Sequence, residues 1–294
     1  MKYQHIAVAP CTVAIGAEVS GIDLARIDDA AFAEVRRALA EHQVLFFRDQ
    51  HLDPAAHMAF AGRFGAMEVH EVFKPLEDFP QISVLEHDAE RPPISDSWHS
   101  DVSYRSEPSM ASILYARHIP PNGGDTLWLS ACAAYDALSA PLQEFLCGLH
   151  AEHDFLGAYG SYFQQQEDGA ERIARARRET PPVHHPLIVV HPLTGRRVLY
   201  VNPTFTTRVL ELSPAESTGL LNLLFQHLLK PEFQVRHKWR RDDVAVWDNR
   251  ATQHYATGDY YPDYRRMHRI TVGGERPVGV ADVTSVAPPV RAIG

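Results

Sequence analysis

A mostly β fold with flanking helices, of the jelly-roll type, is what this sequence predicts, and three observations carry the prediction. Apolar runs of strand length recur, among them Val44-Leu45-Phe46-Phe47, Gln81-Ile82-Ser83-Val84-Leu85, Ser112-Ile113-Leu114-Tyr115-Ala116 and Asp125-Thr126-Leu127-Trp128-Leu129. Turn residues punctuate them, as in Pro120-Pro121-Asn122-Gly123-Gly124. Helical periodicity is confined to flanking segments and does not alternate regularly with the strands, which favours a barrel over repeated strand and helix units.

The early elements read as scaffold. Asp28-Asp29 suits a helix start ahead of Phe32, Val35 and Leu39 at helical spacing, and 44–47 follows as a buried strand. Asp53-Pro54 is a cap followed by proline at the first helical position, with Phe60 and Phe64 four apart before a stop at Gly65. His42, His51 and His57 have no companion chemistry and are expected at the surface or the core edge. The segment 70–73 reads as a loop or short strand, and the polar stretch through Pro92-Pro93 suits the rim of a site. In the strand 125–129, Thr126 and Trp128 share a face. Ser130 and Ser139 each precede a short helix.

Further on, His150 and His153 have helical spacing, but Glu152 and Asp154 would face elsewhere, so both histidines are expected to be structural or exposed. Residues 164–180 are strongly charged and expected to face solvent. His185 and His191 would share a strand face only if Pro186 and Pro192 left that strand intact, which prolines seldom do. Ser213-Pro214-Ala215-Glu216 is a capping box, and Leu220, Leu221, Leu224, Phe225 and Leu228 supply the buried stripe behind it. Phe233, Val235, His237 and Trp239 alternate into a turn at 240–243, so the strand 244–247 is expected to return as an antiparallel hairpin.

Composition bounds the chemistry. The 294 residues contain no long Pro/Gly/Ser linker or charge block, so a single domain over 1–294 is expected. With 28 Lys and Arg against 37 Asp and Glu, the formal charge of -9 discourages nonspecific binding to nucleic acid or an anionic membrane. A small anionic ligand is still admissible, because buried arginines act locally. Cys11, Cys132 and Cys147 lack CxxC spacing and make a poor disulfide framework. No apolar h-region follows Met1, and no window has the length and hydrophobicity of a membrane span; a cytoplasmic location is the expectation.

The chemistry centres on Asp96-Ser97-Trp98-His99-Ser100-Asp101. On an extended strand His99 and Asp101 share a face while Ser100 points away, and a second histidine from elsewhere would complete the two-histidine, one-carboxylate set of non-haem iron sites. Near the C-terminal end come Asp248-Asn249-Arg250-Ala251-Thr252-Gln253-His254 and Arg265-Arg266-Met267-His268-Arg269. In a strand starting at Arg265, Arg265 and Arg269 share a face with their alpha carbons about 13 Å apart. Two buried guanidiniums call for anions, and one anionic ligand for each is the economical answer. A zinc hydrolase could use the same histidines and aspartate but gives the arginines no paired duties. A non-catalytic barrel that binds a metal and an anion also stays open.

Taken together, Trp98-His99-Ser100-Asp101, Gly123-Gly124-Asp125-Thr126-Leu127-Trp128, Trp247-Asp248-Asn249-Arg250 with Thr252-Gln253-His254, and Arg265 with Met267-His268-Arg269 resemble the TauD/TfdA family of iron(II)- and 2-oxoglutarate-dependent dioxygenases. The likeness runs from about Ile15 to Gly273. It implies a double-stranded β-helix, catalytic iron(II) held by His99, Asp101 and His254, and 2-oxoglutarate bound through Arg265 and Thr126, with dioxygen as the other co-substrate. It also implies a homo-oligomer, a dimer or tetramer. The substrate positions implied are His70, Phe73, Ser95, Val102, Ala158, Phe205 and Arg269, of which His70 and Arg269 look toward a sulfonate. Where taurine-oxidising members have tyrosine, asparagine and serine on the amine side, this sequence has Phe73, Ser95 and Ala158. The expected substrate is therefore a small organosulfonate or alkyl sulfate, hydroxylated next to the heteroatom. An aryloxyalkanoate or other carboxylate is the alternative, since Arg269 would pair with it too.

Overall fold

The computed structural model describes residues 3–70, 73–93 and 97–285. β1 (Ala7–Pro10) and β2 (Ala17–Ser20) precede α1 (Asp29–His42), β3 (Val44–Phe47) and α2 (Pro54–Gly62). Both helices start where the sequence has a cap: Asp28 accepts from the Ala31 N–H and Asp53 from the Ala56 N–H. Next come β4 (Lys74–Leu76), β5 (Phe79–His87), β6 (Ala111–His118), β7 (Thr126–Ser130), α3 (Ala131–Asp136), α4 (Ala140–Leu146) and β8 (His150–His153). α5 (Phe155–Gln164) and α6 (Gly169–Glu179) form a helical excursion with a mostly exposed surface, followed by β9 (Val183–Pro186), β10 (Ile188–Val190), β11 (Arg197–Leu199) and β12 (Thr206–Val209). α7 (Pro214–Leu228) has its complete capping box, with Leu221, Leu224 and Leu228 buried. The last elements among the described residues are β13 (Gln234–His237), β14 (Val244–Asp248), β15 (Thr252–Ala256), β16 (Arg265–Val272) and α8 (Val280–Ser285).

The expected double-stranded β-helix, or jelly roll, does not form. Among the described residues the architecture is mixed α/β, with several sheets and none closed into a barrel. The largest sheet runs β1-β2-β3-β14-β6-β16-β5-β4, and its end strands β1 and β4 remain edges. Separate sheets are β13-β7-β15, β12-β8-β9 and β10-β11. The sequence pattern identifies strands but not their partners, which depend on contacts far apart in the chain. The expected 233–247 hairpin illustrates this: β13 pairs with β7, whereas β14 inserts between β3 and β6. A buried Asp243 stands where the two strands part. It ion-pairs with Arg48, directly after β3, and accepts from the Arg240 N–H at 2.7 Å, and the turn carries the chain from one sheet to the other.

Strand alternation then places the site. One face of the large sheet carries Leu45, Phe47, Ile113, Tyr115, Val246 and Ile270, and packs on Phe32, Val35 and Phe60 of α1 and α2. The other carries Val44, Phe46, Leu114, Trp247 and Met267, and packs on Trp128 of β7 and Val235 of β13. Arg265 and Arg269 flank Met267 on this second face, so both guanidiniums lie between the large sheet and the β13-β7-β15 sheet.

Candidate metal and anion site

A single β-bridge brings the histidines together. His99 N–H donates to His254 O at 3.1 Å and His254 N–H to His99 O at 2.8 Å, and the two rings lie 4.2 Å apart. The extended strand expected around His99 is reduced to this one bridge, because the chain turns at Val102, whose φ is 48°. Asp101 still reaches the pair. Its Oδ1 lies 3.9 Å from His99 Nε2 and 4.0 Å from His254 Nε2. One ligand atom from each of His99, Asp101 and His254 falls within 4.8 Å of the others.

The protonation of these groups suits a cation. His99 Nδ1 donates to Ser97 O at 2.9 Å, which leaves Nε2 with a lone pair facing Asp101. Burial pushes His99 below its ordinary pKa and, with His99 alongside, takes His254 down to about 3. Burial alone would raise the Asp101 pKa, but Arg269, His254, His99 and a hydrogen bond from Ser112 outweigh it and hold the carboxyl well below its usual range. Two neutral imidazoles and one ionised carboxylate result, a donor set that fits non-haem iron(II).

Both arginines are buried, and each keeps an Nε without a hydrogen-bond partner among the described residues. Burial pushes the Arg265 pKa down. Its guanidinium carbon lies 5.6 Å from the Tyr260 ring centroid, and a Cβ on Gly124 would come within 3.2 Å of its Cδ and Nε. Gly124 also has φ +71°, so that position needs glycine for conformation as well as space. Trp239 Nε1 donates to Thr126 Oγ1 at 2.9 Å, leaving the threonine proton available to an acceptor. Arg269 donates from Nη1 to Asp101 Oδ1 at 2.9 Å, and its guanidinium carbon sits 4.8 Å from the Phe73 ring centroid.

Around this centre, the rings of His70 and Phe73 lie 4.6 Å apart, and burial reinforced by Arg269 takes the His70 pKa down to about 3. The Phe205 ring meets His99 edge-on at 6.2 Å and belongs to an apolar cluster with Val102, Tyr104 and Phe155, against which Ala158 packs. Ser95 lies outside the described residues. The other histidines singled out in the sequence are elsewhere. His150 and His153 occupy β8, a strand and not the helix their spacing suggested; His150 meets Glu211, and the buried His153 meets Ser103. His185 donates to backbone carbonyls of the 103–105 segment, and His191 pairs with Asp248. His57, expected at the surface or core edge, is fully buried in the core. Sequence reasoning gave no role to Ser112, Asn249, Tyr104 or Tyr260. A hydroxyl within an otherwise apolar strand and an amide in Trp-Asp-Asn-Arg were the available signals for the first two.

Comparison with known proteins agrees with this geometry. The family model described as "Taurine catabolism dioxygenase TauD, TfdA family" matches residues 7–271. The chain is 38% identical to an alpha-ketoglutarate-dependent sulfate ester dioxygenase from Pseudomonas putida, over 93% of this chain and 91% of that protein. It is 36% identical to an alkylsulfatase from Acinetobacter baylyi, over 94% and 87% of the two chains. A crystal structure of a taurine dioxygenase from Burkholderia xenovorans superposes with a TM-score of 0.81 at 37% identity, covering 95% of this chain and 94% of that one. With the family model spanning nearly the whole chain and two histidines and an aspartate gathered at one point, the chain belongs to the TauD/TfdA family of iron(II)- and 2-oxoglutarate-dependent dioxygenases.

Proposed function

We propose that this enzyme hydroxylates a small organosulfonate or alkyl sulfate on the carbon next to the heteroatom, with the buried Arg269 receiving the substrate anion. Hydroxylation there gives an unstable product: the new hydroxyl loses its proton, the carbon becomes an aldehyde, and the bond to sulfur or to the sulfate oxygen breaks to release sulfite or sulfate. Iron(II) bound by His99, Asp101 and His254 supplies dioxygen reduction coupled to decarboxylation of 2-oxoglutarate to succinate and carbon dioxide.

The residues' part is placement. Arg265 can grip the distal carboxylate of 2-oxoglutarate with paired N–H donors, and the Thr126 hydroxyl adds another. Arg269 and His70 hold the substrate anion, while Phe73, Val102, Ala158 and Phe205 border the carbon chain. The observation that carries this reading is the Arg269 guanidinium, 5% exposed, beside the oxygen of Asp101 that faces both histidines. An anion held by this guanidinium brings its neighbouring carbon close to the metal position. The names of the relatives, a sulfate ester dioxygenase and an alkylsulfatase, favour the same substrate class.

Two measurements test it. Anaerobic addition of iron(II) and 2-oxoglutarate should produce the weak visible charge-transfer band of a chelated 2-oxo acid. With dioxygen, alkyl sulfates and alkyl sulfonates should yield succinate, aldehyde and the released inorganic anion in equal amounts. Failure of the band in folded, iron-loaded protein overturns the centre. Turnover of aryloxyalkanoates alone overturns the substrate class.

A further inference from the structure

We infer that a one-way chain of hydrogen-bond donors, from Asn249 through Ser112 to Asp101, decides which oxygen of Asp101 is offered to the metal. The inference rests on the reading of Asp101 as a metal ligand. It assigns positioning roles to two residues that touch neither substrate nor metal.

The direction of the chain follows from groups that can only donate. The Trp247 indole N–H donates to Asn249 Oδ1 at 2.8 Å, and the Asp101 backbone N–H donates to the same oxygen at 3.3 Å. A flipped amide would set its NH2 group against both donors, so the amide has one orientation. Its Nδ2 is then the atom 2.9 Å from Ser112 Oγ, and it donates. With its oxygen accepting from Asn249, Ser112 directs its single proton to Asp101 Oδ2, 2.6 Å away. A short hydrogen bond to a carboxylate is charge-assisted and roughly twice as strong as a neutral one.

Each member is held in place. Trp247, Asn249, Ser112 and Asp101 are all buried, so water does not substitute for a missing donor. Ser112 lies on β6 between two neighbours, paired with Trp247 of β14 and Thr271 of β16, which fixes its hydroxyl at the centre of the large sheet. Ser112 holds Oδ2, and the carboxylate so turned presents Oδ1 to His99 Nε2 and His254 Nε2. Oδ1 also accepts from Arg269 Nη1 at 2.9 Å, and a carboxylate oxygen has a second lone pair left for the metal. Asp101 is thereby set to bind through one oxygen, which leaves more of the coordination sphere for 2-oxoglutarate and dioxygen than a two-oxygen grip would.

The test uses the full chain with cobalt(II) as probe, reading its dissociation constant by calorimetry and its coordination by visible absorption. Ser112→Ala is expected to weaken cobalt(II) about 10- to 100-fold and to lower the absorption intensity as Asp101 turns toward two-oxygen binding. Asn249→Ala should act in the same direction, since it removes both the donor to Ser112 and the acceptor of the Asp101 N–H. Ser112→Thr, which keeps the hydroxyl, should restore affinity and spectrum. Ser130→Ala controls for loss of a buried hydroxyl: Ser130 donates to Gln43 and caps α3, away from Asp101. Should Ser112→Ala fail to fold, Asn249→Ala carries the same readouts.

Wild-type affinity and spectrum in folded Ser112→Ala or Asn249→Ala would overturn the relay. So would equal weakening in Ser130→Ala, which would mark a general effect on the fold. Asp101→Ala separates the two levels of inference. If it binds cobalt(II) like the wild type, the metal assignment itself fails; if it loses cobalt(II) while the relay variants retain it, only the relay fails.

Discussion

Arg269 Nη1 and the two histidine Nε2 atoms address the same oxygen, Asp101 Oδ1: the arginine at 2.9 Å, His99 at 3.9 Å and His254 at 4.0 Å. Arg265 lies four residues earlier on the same strand face, beside Tyr260 and Gly124 and away from that oxygen. Two arginines related by strand alternation therefore have different neighbours, and different anions are assigned to them. Arg269→Gln should chiefly raise the KM for the sulfonate or sulfate, with kcat/KM falling at least about thirtyfold, the effect of losing roughly 2 kcal/mol from a buried charge contact. Arg265→Gln should chiefly raise the KM for 2-oxoglutarate. Saturation curves in both substrates for both variants check the assignment, and a reversed pattern would overturn it.

The histidines divide in the same way. His99→Ala and His254→Ala should each abolish stoichiometric iron(II) binding and succinate formation. His150→Ala, His153→Ala and His185→Ala should retain iron, because their partners are Glu211, Ser103 and backbone carbonyls. Metal analysis after desalting decides; iron lost from the second group and kept by the first would move the centre elsewhere.

What could be read from the sequence was local. Asp28, Asp53 and Ser213 are N-caps in the structure because capping depends on residues two or three positions away. The exposed surface of 164–180 and the interruption of the strand after Pro186 are local in the same sense. Sheet architecture was not legible. Nothing near 240–243 in sequence announces that Asp243 pairs with Arg48, or that β13 joins β7 while β14 joins β3 and β6. His99 and Asp101 converge on His254 by a cross-chain bridge followed by a turn, where strand alternation had been the expected cause. Ser112 and Asn249 are ordinary residues whose connection to Asp101 exists only once β6 and β14 are paired.

His57 supplies a prediction in pH. Burial, helped by His268 and Arg117, takes its pKa from 6.5 down to about 3, so the folded protein holds it neutral while the unfolded chain protonates near pH 6.5. A depressed histidine contributes stability above the unfolded value, and that stability is lost as pH falls toward the folded value. His57→Phe cannot take up the proton. Relative to wild type it should therefore be more stable at pH 5 than at pH 8, by about 1 to 2 kcal/mol after the packing change common to both pH values cancels. Urea unfolding at the two pH values measures the difference, and parallel curves would exclude His57 as an acid-sensitive group.

The Ser213 capping box offers a control on stability without chemistry. Ser213 Oγ accepts from the Glu216 N–H while the Glu216 carboxylate accepts from the Ser213 N–H, on a helix remote in sequence from every proposed ligand. Ser213→Ala should cost about 1 kcal/mol and leave kcat and both KM values unchanged. A change in kcat would mean that α7 is coupled to the site.

The sharpest prediction concerns the substrate's far end. The Phe73 ring stacks on the Arg269 guanidinium, and Ala158 packs against the cluster of Val102, Tyr104 and Phe205, so neither residue offers a side-chain acceptor to an ammonium group. A site that hydrogen-bonds an amine rejects analogues lacking it, whereas an apolar surface gains about 0.8 kcal/mol for each buried methylene until the space is filled. Unsubstituted alkyl sulfates or sulfonates of moderate length should therefore show higher kcat/KM than taurine, rising roughly three- to fourfold per added methylene over the first few. Phe73→Tyr with Ala158→Ser should narrow the gap by restoring polar groups beside the chain. Competition assays following aldehyde and released anion together measure the ratio and keep uncoupled 2-oxoglutarate turnover from counting as catalysis. Preference of the unaltered enzyme for taurine, tightly coupled and with little activity on amine-free analogues, would show that backbone groups or ordered water take over the amine contacts.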